Sequence, residues 1–176
     1  MHYFALLFAL LPALSLAAPT HNHNPSKHDI NEARFAWAAD TGTVSHFLST
    51  APFLHGQALS DLAAGALAAE LDELTHKAVI DDKFLLVDHP NHKIVKANDV
   101  LVTQKTFQFV VDGLTKFKDN GASYTKAQID SLVASMNKDR CFHVLPAIDT
   151  YLRVAGQFTH TDPSLHATRP NNCPMK

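Results

Sequence analysis

Residues 57–81 read QALSDLAAGALAAELDELTHKAVID, and this stretch determines the predicted fold class. Its apolar residues recur three and four positions apart, which is the spacing of one face of an α-helix. They are Leu59, Leu62, Ala63, Ala66, Leu67, Leu71, Leu74 and Ala78. The many alanines favour helix formation and let a neighbouring helix approach closely. The stretch therefore predicts a long amphipathic helix that packs against other helices.

The rest of the chain supplies the other helices of a bundle. Two short helical pieces are predicted on either side of Asp40-Thr41-Gly42, and a further helix at 94–118 ends at Asn120-Gly121. The last helix begins at Thr125, whose spacing to Gln128 has the form of a capping box, and a proline in its middle should bend it. No alternating strand pattern of useful length occurs. We predict an all-α fold, a bundle of four main helices with short N-terminal helical pieces.

The first seventeen residues, MHYFALLFALLPALSLA, form an apolar run that ends in small residues. The run is too short to cross a bilayer comfortably, and Ser15 and Ala17 satisfy the small-residue rule of a cleavage site. We therefore predict a secretory signal peptide at residues 1–17. The mature chain is expected to be secreted and extracellular, with no membrane association after cleavage.

Residues 18–30 are rich in Asn, Pro and His and lack apolar periodicity, which predicts a flexible His-rich leader. His21, His23 and His28 could chelate Cu(II) or Zn(II), although a solubilising tail is the simpler interpretation. The helical bundle domain is predicted at residues 31–160.

The chain has two cysteines, Cys141 and Cys173. In an oxidising compartment such a pair usually forms a disulfide, and neither cysteine belongs to a Cys-x-x-Cys metal motif. We therefore predict a Cys141–Cys173 disulfide that ties a C-terminal tail, residues 161–176, to the last helix.

Charge and motif content exclude several classes of function. The formal net charge is -2 and no basic block is present, so nucleic acid is not an expected partner. The sequence also has no Gly-x-Ser-x-Gly motif, no His-Glu-x-x-His motif and no glycine-rich phosphate loop. We predict a non-catalytic protein.

Four charged residues lie on or beside apolar helix faces. Glu70 falls on the apolar line of the 57–81 helix and Glu73 lies beside it, whereas Arg140 interrupts the apolar stripe of the last helix. Asp149 follows Ile148 close to the predicted bend. Because a buried carboxylate needs a partner and a guanidinium suits it well, we predict a structural charge network of Glu70, Glu73, Arg140 and Asp149.

A metal site is the alternative interpretation of the same helix. Glu73 and His76 form Glu-x-x-His, which is half of the ligand set of di-iron four-helix bundles. The second Glu-x-x-His pair and the further glutamates of such a site are missing, so we favour the charge network and predict no cofactor. A mononuclear site of Glu73, His76 and His143 remains the alternative.

Four stretches carry a resemblance to a known family. These are DTGTVSHFL (40–48), AAELDELTHK (68–77), RCFHVLPAIDTY (140–151) and RPNNC (169–173). They resemble the blocks of a family of small secreted proteins from filamentous fungi. The resemblance implies a secreted, disulfide-bonded helical protein of the candidate-effector type, and it supplies no catalytic residues.

The predicted function is therefore that of a secreted fungal effector or virulence factor. Its partner would be a host or other extracellular protein, a cell-wall component or a small apolar ligand. Two alternatives stay open, a metal-binding remnant of a ferritin-like bundle and a carrier of apolar ligands in a cavity between helices.

Overall fold

The structure, a computed structural model, describes residues 24–175. Within this range the chain forms six α-helices and no strand, which confirms the all-α fold. The helices are α1 (Lys27–Thr50), α2 (Gly56–Phe84), α3 (His92–Asn98), α4 (Thr106–Asn120), α5 (Lys126–Asp139) and α6 (Leu145–Thr159). The predicted signal peptide and residues 18–23 of the predicted leader lie outside the described residues.

Two π-helical segments extend the α-helices. The first π segment (Asp99–Thr103) follows α3, and the second π segment (Arg140–Val144) connects α5 to α6. Helix α1 packs on α2 and α6, α2 packs on α4, and α3 packs on α6. The bundle thus consists of α1, α2, the pair α3 and α4, and the continuous rod of α5 and α6, which agrees with the predicted bundle.

The N-terminal rod is one continuous helix, so the prediction of two short pieces is wrong. The Thr41 hydroxyl donates to the Ala38 carbonyl at 2.7 Å and accepts the Thr168 N–H at 2.9 Å. A Cβ atom at Gly42 would lie 3.6 Å from Thr168 Oγ1, so this face of α1 lies directly against the C-terminal tail. The small residues that suggested a break therefore mark the place where the tail docks.

The helix also begins earlier than predicted, at Lys27. The Ser26 hydroxyl accepts the Asp29 N–H at 3.2 Å, and the Asp29 carboxylate accepts the Ser26 N–H at 2.9 Å. This reciprocal capping box starts α1, and Ile30 is already buried in the core. Residues 27–30 are therefore helical and do not belong to a flexible leader.

The predicted helix at 94–118 is interrupted at Lys105, which adopts the left-handed conformation with φ of 59°. The Thr106 hydroxyl reaches back to the Val100 carbonyl at 2.8 Å and holds this corner. The sequence has no glycine or proline at Lys105 that would predict this interruption. The end of the helix at Asn120 and the capping box at Thr125 are both confirmed.

Pro146, where the sequence predicts a bend, lies two residues after the end of the second π segment. The N–H of Leu145 donates to the Arg140 carbonyl across this widened turn. Because the segment before Pro146 is helical, the missing N–H of the proline leaves one carbonyl of that segment without its usual donor. The irregularity in the helix therefore lies immediately before the proline.

The tail crosses α1 and is joined to the second π segment. The Ser45 hydroxyl donates to the Thr168 carbonyl at 2.6 Å, and the Asn172 side chain donates to the Leu48 carbonyl at 3.0 Å. Cys141 and Cys173 form the predicted disulfide, with their Cα atoms 6.0 Å apart. Among the described residues, no helix has the length and apolar character needed to span a membrane.

Candidate functional site

A charged cluster lies at the centre of the bundle, between α1, α2 and the second π segment. Arg140 Nη1 donates to Glu70 Oε2 at 2.7 Å, and Arg140 Nη2 donates to Glu73 Oε1 at 3.3 Å. Trp37 Nε1 donates to the second oxygen of Glu73 at 2.8 Å. All four side chains are completely shielded from solvent. The structure thus joins three of the four residues of the predicted charge network.

Trp37 is the member of this cluster that the sequence interpretation missed. It is the only tryptophan of the chain, and a buried indole N–H usually requires an acceptor. Its ring packs against Tyr151 with the ring centroids 5.1 Å apart. The Tyr151 hydroxyl donates to Asp81 at 2.8 Å, and Asp81 is paired with Lys77. A second buried ion pair therefore lies behind the first and is linked to it through two aromatic rings.

Burial raises the pKa of the two glutamates. For Glu73 the pKa lies well above its ordinary value, because desolvation and the charge of Glu70 together outweigh the attraction of Arg140. The pKa of Glu70 is raised as well, chiefly by desolvation and against the opposing effect of Arg140. One guanidinium faces two carboxyl groups, so we assign the neutral, protonated form most readily to Glu73.

Replacing Glu73 by glutamine should change how stability depends on pH. A raised pKa in the folded state contributes stability below the unfolded-state pKa, and that contribution is lost as the pH rises towards the folded-state pKa. We expect the Tm of the parent to fall as the pH rises from about 4.3, where ordinary glutamate titrates, towards the raised pKa of Glu73. Glu73→Gln keeps an acceptor for Trp37 and cannot ionise, so its Tm should fall less, and the variant should gain most at high pH.

Thermal melts of both proteins across this pH range measure the difference. Glu32→Gln is the matched control, because it makes the same chemical change at an exposed position of α1 outside the charged cluster. If the plots of Tm against pH for the parent and Glu73→Gln are parallel, Glu73 is not protonated in the folded state.

Asp149 does not belong to the charge network, so this part of the prediction is wrong. Arg140 is completely buried, whereas Asp149 lies at the partly exposed surface of α6. Its carboxylate instead accepts the Ala167 N–H at 2.8 Å and pairs with Arg169. Asp149 therefore fastens the C-terminal tail.

The three predicted metal ligands do not meet. Both oxygens of Glu73 are engaged by Arg140 and Trp37. His143 is exposed, with its Nδ1 atom 2.9 Å from Asp139 Oδ1. His76 instead contacts Asp40, with Nε2 3.2 Å from the carboxylate. The described residues therefore do not bring Glu73, His76 and His143 together as one ligand set.

A surface groove with a volume of about 420 Å³ runs between α3 and α6. Val100, Phe142 and Pro146 contribute to its apolar floor, and both π segments border it. Three cationic side chains line it, those of Lys93, Lys96 and Arg153. We call this surface the basic groove. The sequence interpretation missed it because the three cations lie on helices whose pairing no local pattern reveals.

The cations of the basic groove are available for an external partner. Lys93, Lys96 and Arg153 are exposed, and none forms an ion pair with another residue in the 24–175 range. No carboxylate is among the residues that line the groove. The groove therefore combines an apolar surface with uncompensated positive charge.

Comparison of the chain with protein-family models, with curated proteins and with solved structures gives no match.

Proposed function

We propose that the mature chain is a secreted, non-catalytic fungal protein that binds a small amphipathic anion in the basic groove and acts outside the cell as an effector. Secretion is supported by the apolar N-terminal run and by the disulfide, which is typical of extracellular proteins. The resemblance to small secreted fungal proteins supports the effector role.

The residues that line the basic groove are the main support for the proposed binding function. Its volume of about 420 Å³ is within the range of small-molecule sites. A ligand with an apolar body would cover Val100, Phe142 and Pro146, while a carboxylate or similar head group would be attracted by the cations at the edge. A fatty acid has this combination of properties.

The charged cluster supports the non-catalytic part of the proposal. Glu70, Glu73 and Arg140 are the groups that would be suited to acid, base or anion chemistry, yet none of them reaches solvent. A substrate therefore has no path to these side chains in this conformation. Their mutual contacts account for their burial as a structural network.

Titration with dodecanoate by isothermal calorimetry tests the binding function. We expect saturable binding of dodecanoate and much weaker binding of dodecanol, which has the same chain without the charge. Replacing two cations of the groove, in Lys96→Ala/Arg153→Ala, should weaken dodecanoate binding at least about tenfold, which corresponds to roughly 1.4 kcal/mol. A loss of this size in binding free energy is expected when two partly screened charges are removed.

Lys116→Ala/Lys118→Ala is the matched control, because it removes the same charge from α4, away from the groove. The control should bind dodecanoate like the parent. Equal binding of dodecanoate and dodecanol, an equal loss in the two double variants, or the absence of binding by the parent would each refute the proposal.

A further inference from the structure

Asp40, Asp72 and His76 form a second cluster, on the solvent side of α1 and α2. Asp72 and His76 are four residues apart on α2, so they share a face, and Asp40 approaches them from α1. One ligand atom from each residue lies within 4.8 Å of the other two. The sequence contains no contiguous motif for this set because one member comes from another helix.

We propose that this cluster is a binding site for a first-row divalent metal ion, with His76 Nε2 and one carboxylate oxygen each from Asp40 and Asp72 as its ligands. The site is separate from the basic groove and does not depend on the proposed function. It also differs from the predicted set of Glu73, His76 and His143, with which it shares only the imidazole.

The distances suit tetrahedral coordination. Bonds of about 2.0–2.1 Å from zinc to nitrogen or oxygen place neighbouring ligand atoms of a tetrahedron about 3.3 Å apart. His76 Nε2 lies 3.2 Å from Asp40 Oδ2 and 3.5 Å from Asp72 Oδ2. Two of the three edges therefore match a tetrahedron, and the third pair of ligand atoms lies within 4.8 Å.

Asp40 provides an independent reason to expect a ligand. Its Oδ2 atom is shielded from solvent, and its 3.2 Å contact with His76 Nε2 is poorly aligned for a hydrogen bond. Burial also raises the pKa of this carboxyl group, against the opposing charge of His76. A cation bound at Oδ2 would satisfy this atom.

The charge and the access of the site also fit a divalent ion. Two carboxylates and a neutral imidazole carry a charge of -2, and mixed nitrogen and oxygen ligands suit zinc, iron and manganese. An open depression of about 610 Å³ borders Asp40 and Asp72. Three protein ligands with an accessible fourth position are the arrangement that zinc sites use to hold a water molecule or an exchangeable ligand.

Calorimetric titration with Zn²⁺ tests the site. His21 and His23 of the predicted leader and His28 of α1 are potential competing ligands, so the measurement uses the chain with all three replaced by alanine. We expect one Zn²⁺ per chain in this background, and Asp40→Asn or His76→Ala should each weaken binding at least tenfold. The visible spectrum of bound Co²⁺ should show tetrahedral coordination and lose this signature in both variants.

Two replacements on the same helices serve as controls. His46→Ala on α1 and Asp61→Asn on α2 remove an exposed imidazole and an exposed carboxylate outside the cluster, and both should bind Zn²⁺ like the background protein. Circular dichroism establishes that each variant is folded. No saturable site in the background protein, or unchanged affinity in folded Asp40→Asn, would overturn the proposal.

Discussion

Arg140→Ala should destabilise the protein by about 3–5 kcal/mol, the range for breaking a buried ion pair and leaving its partner uncompensated. Glu70 would lose its 2.7 Å contact and Glu73 its 3.3 Å contact, while both remain out of reach of water. For a chain of this size, 1 kcal/mol corresponds to roughly 2–4 °C in Tm, so the melting temperature should fall by about 6–20 °C. Thermal melts of the parent and the variant measure this directly.

Two further variants test whether the loss of stability comes from the stranded carboxylates. Arg153→Ala removes an exposed guanidinium from α6 and should change Tm little, since surface charges contribute little to stability. The triple variant Arg140→Met/Glu70→Leu/Glu73→Gln removes the stranded charge and keeps an acceptor for Trp37, so it should recover most of the loss. A single Arg140→Ala variant that melts within about 2 °C of the parent would show that the network contributes nothing.

Replacing both cysteines by serine should cost about 3–4 kcal/mol, mainly by releasing a constraint on the unfolded chain. The bridge joins residues 32 positions apart, and the chain-entropy relation gives this magnitude for a loop of that length. The tail keeps its contacts with α1, such as those of Thr168, so we expect the native fold to persist with lower stability. Urea denaturation of Cys141→Ser/Cys173→Ser against the parent measures the difference.

Reduction provides the control for the serine variant. Dithiothreitol should lower the stability of the parent towards that of Cys141→Ser/Cys173→Ser and should leave the variant itself unchanged. If the variant and the oxidised parent unfold at the same urea concentration, the bridge is not a source of stability, and the tail is held by its hydrogen bonds alone.

The contacts that could be predicted are those between residues on strongly patterned helices. Glu70 and Arg140 each interrupt an apolar face, and burial of an acid on one helix requires a base from another, so their pairing follows from the cost of an isolated charge. Asp149 is close in sequence to the predicted bend, which suggests the same network. The side chain lies at the partly exposed surface of α6, however, and only the docked tail reveals its partners.

The contacts that were missed depend on the register between helices. Trp37 reaches Glu73 and Asp40 reaches His76 because α1 lies along α2 at one particular offset. No local pattern specifies that offset, since it results from packing of the whole core. The same limitation explains the basic groove, whose cations come from two helices that meet only in the folded chain.

The second π segment was also missed, although the sequence contains a signal for it. From Met136 the buried positions continue at Arg140, Val144 and Ile148, three successive steps of four residues. In a regular α-helix these twelve residues would drift by about 120° around the axis. A widened turn absorbs this drift, and π turns of this kind are frequently found at functional sites.

The second π segment sets the rotation of α6 relative to α5. A π turn holds one residue more than an α turn, so the segment is equivalent to a one-residue insertion in a continuous helix made of α5 and α6. Loss of one residue from this segment would convert the widened turn into a regular α turn and leave Ile148 and Tyr151 facing the core. A further one-residue insertion would instead rotate both side chains by about 100° away from the core, so the segment tolerates a shorter chain better than a longer one.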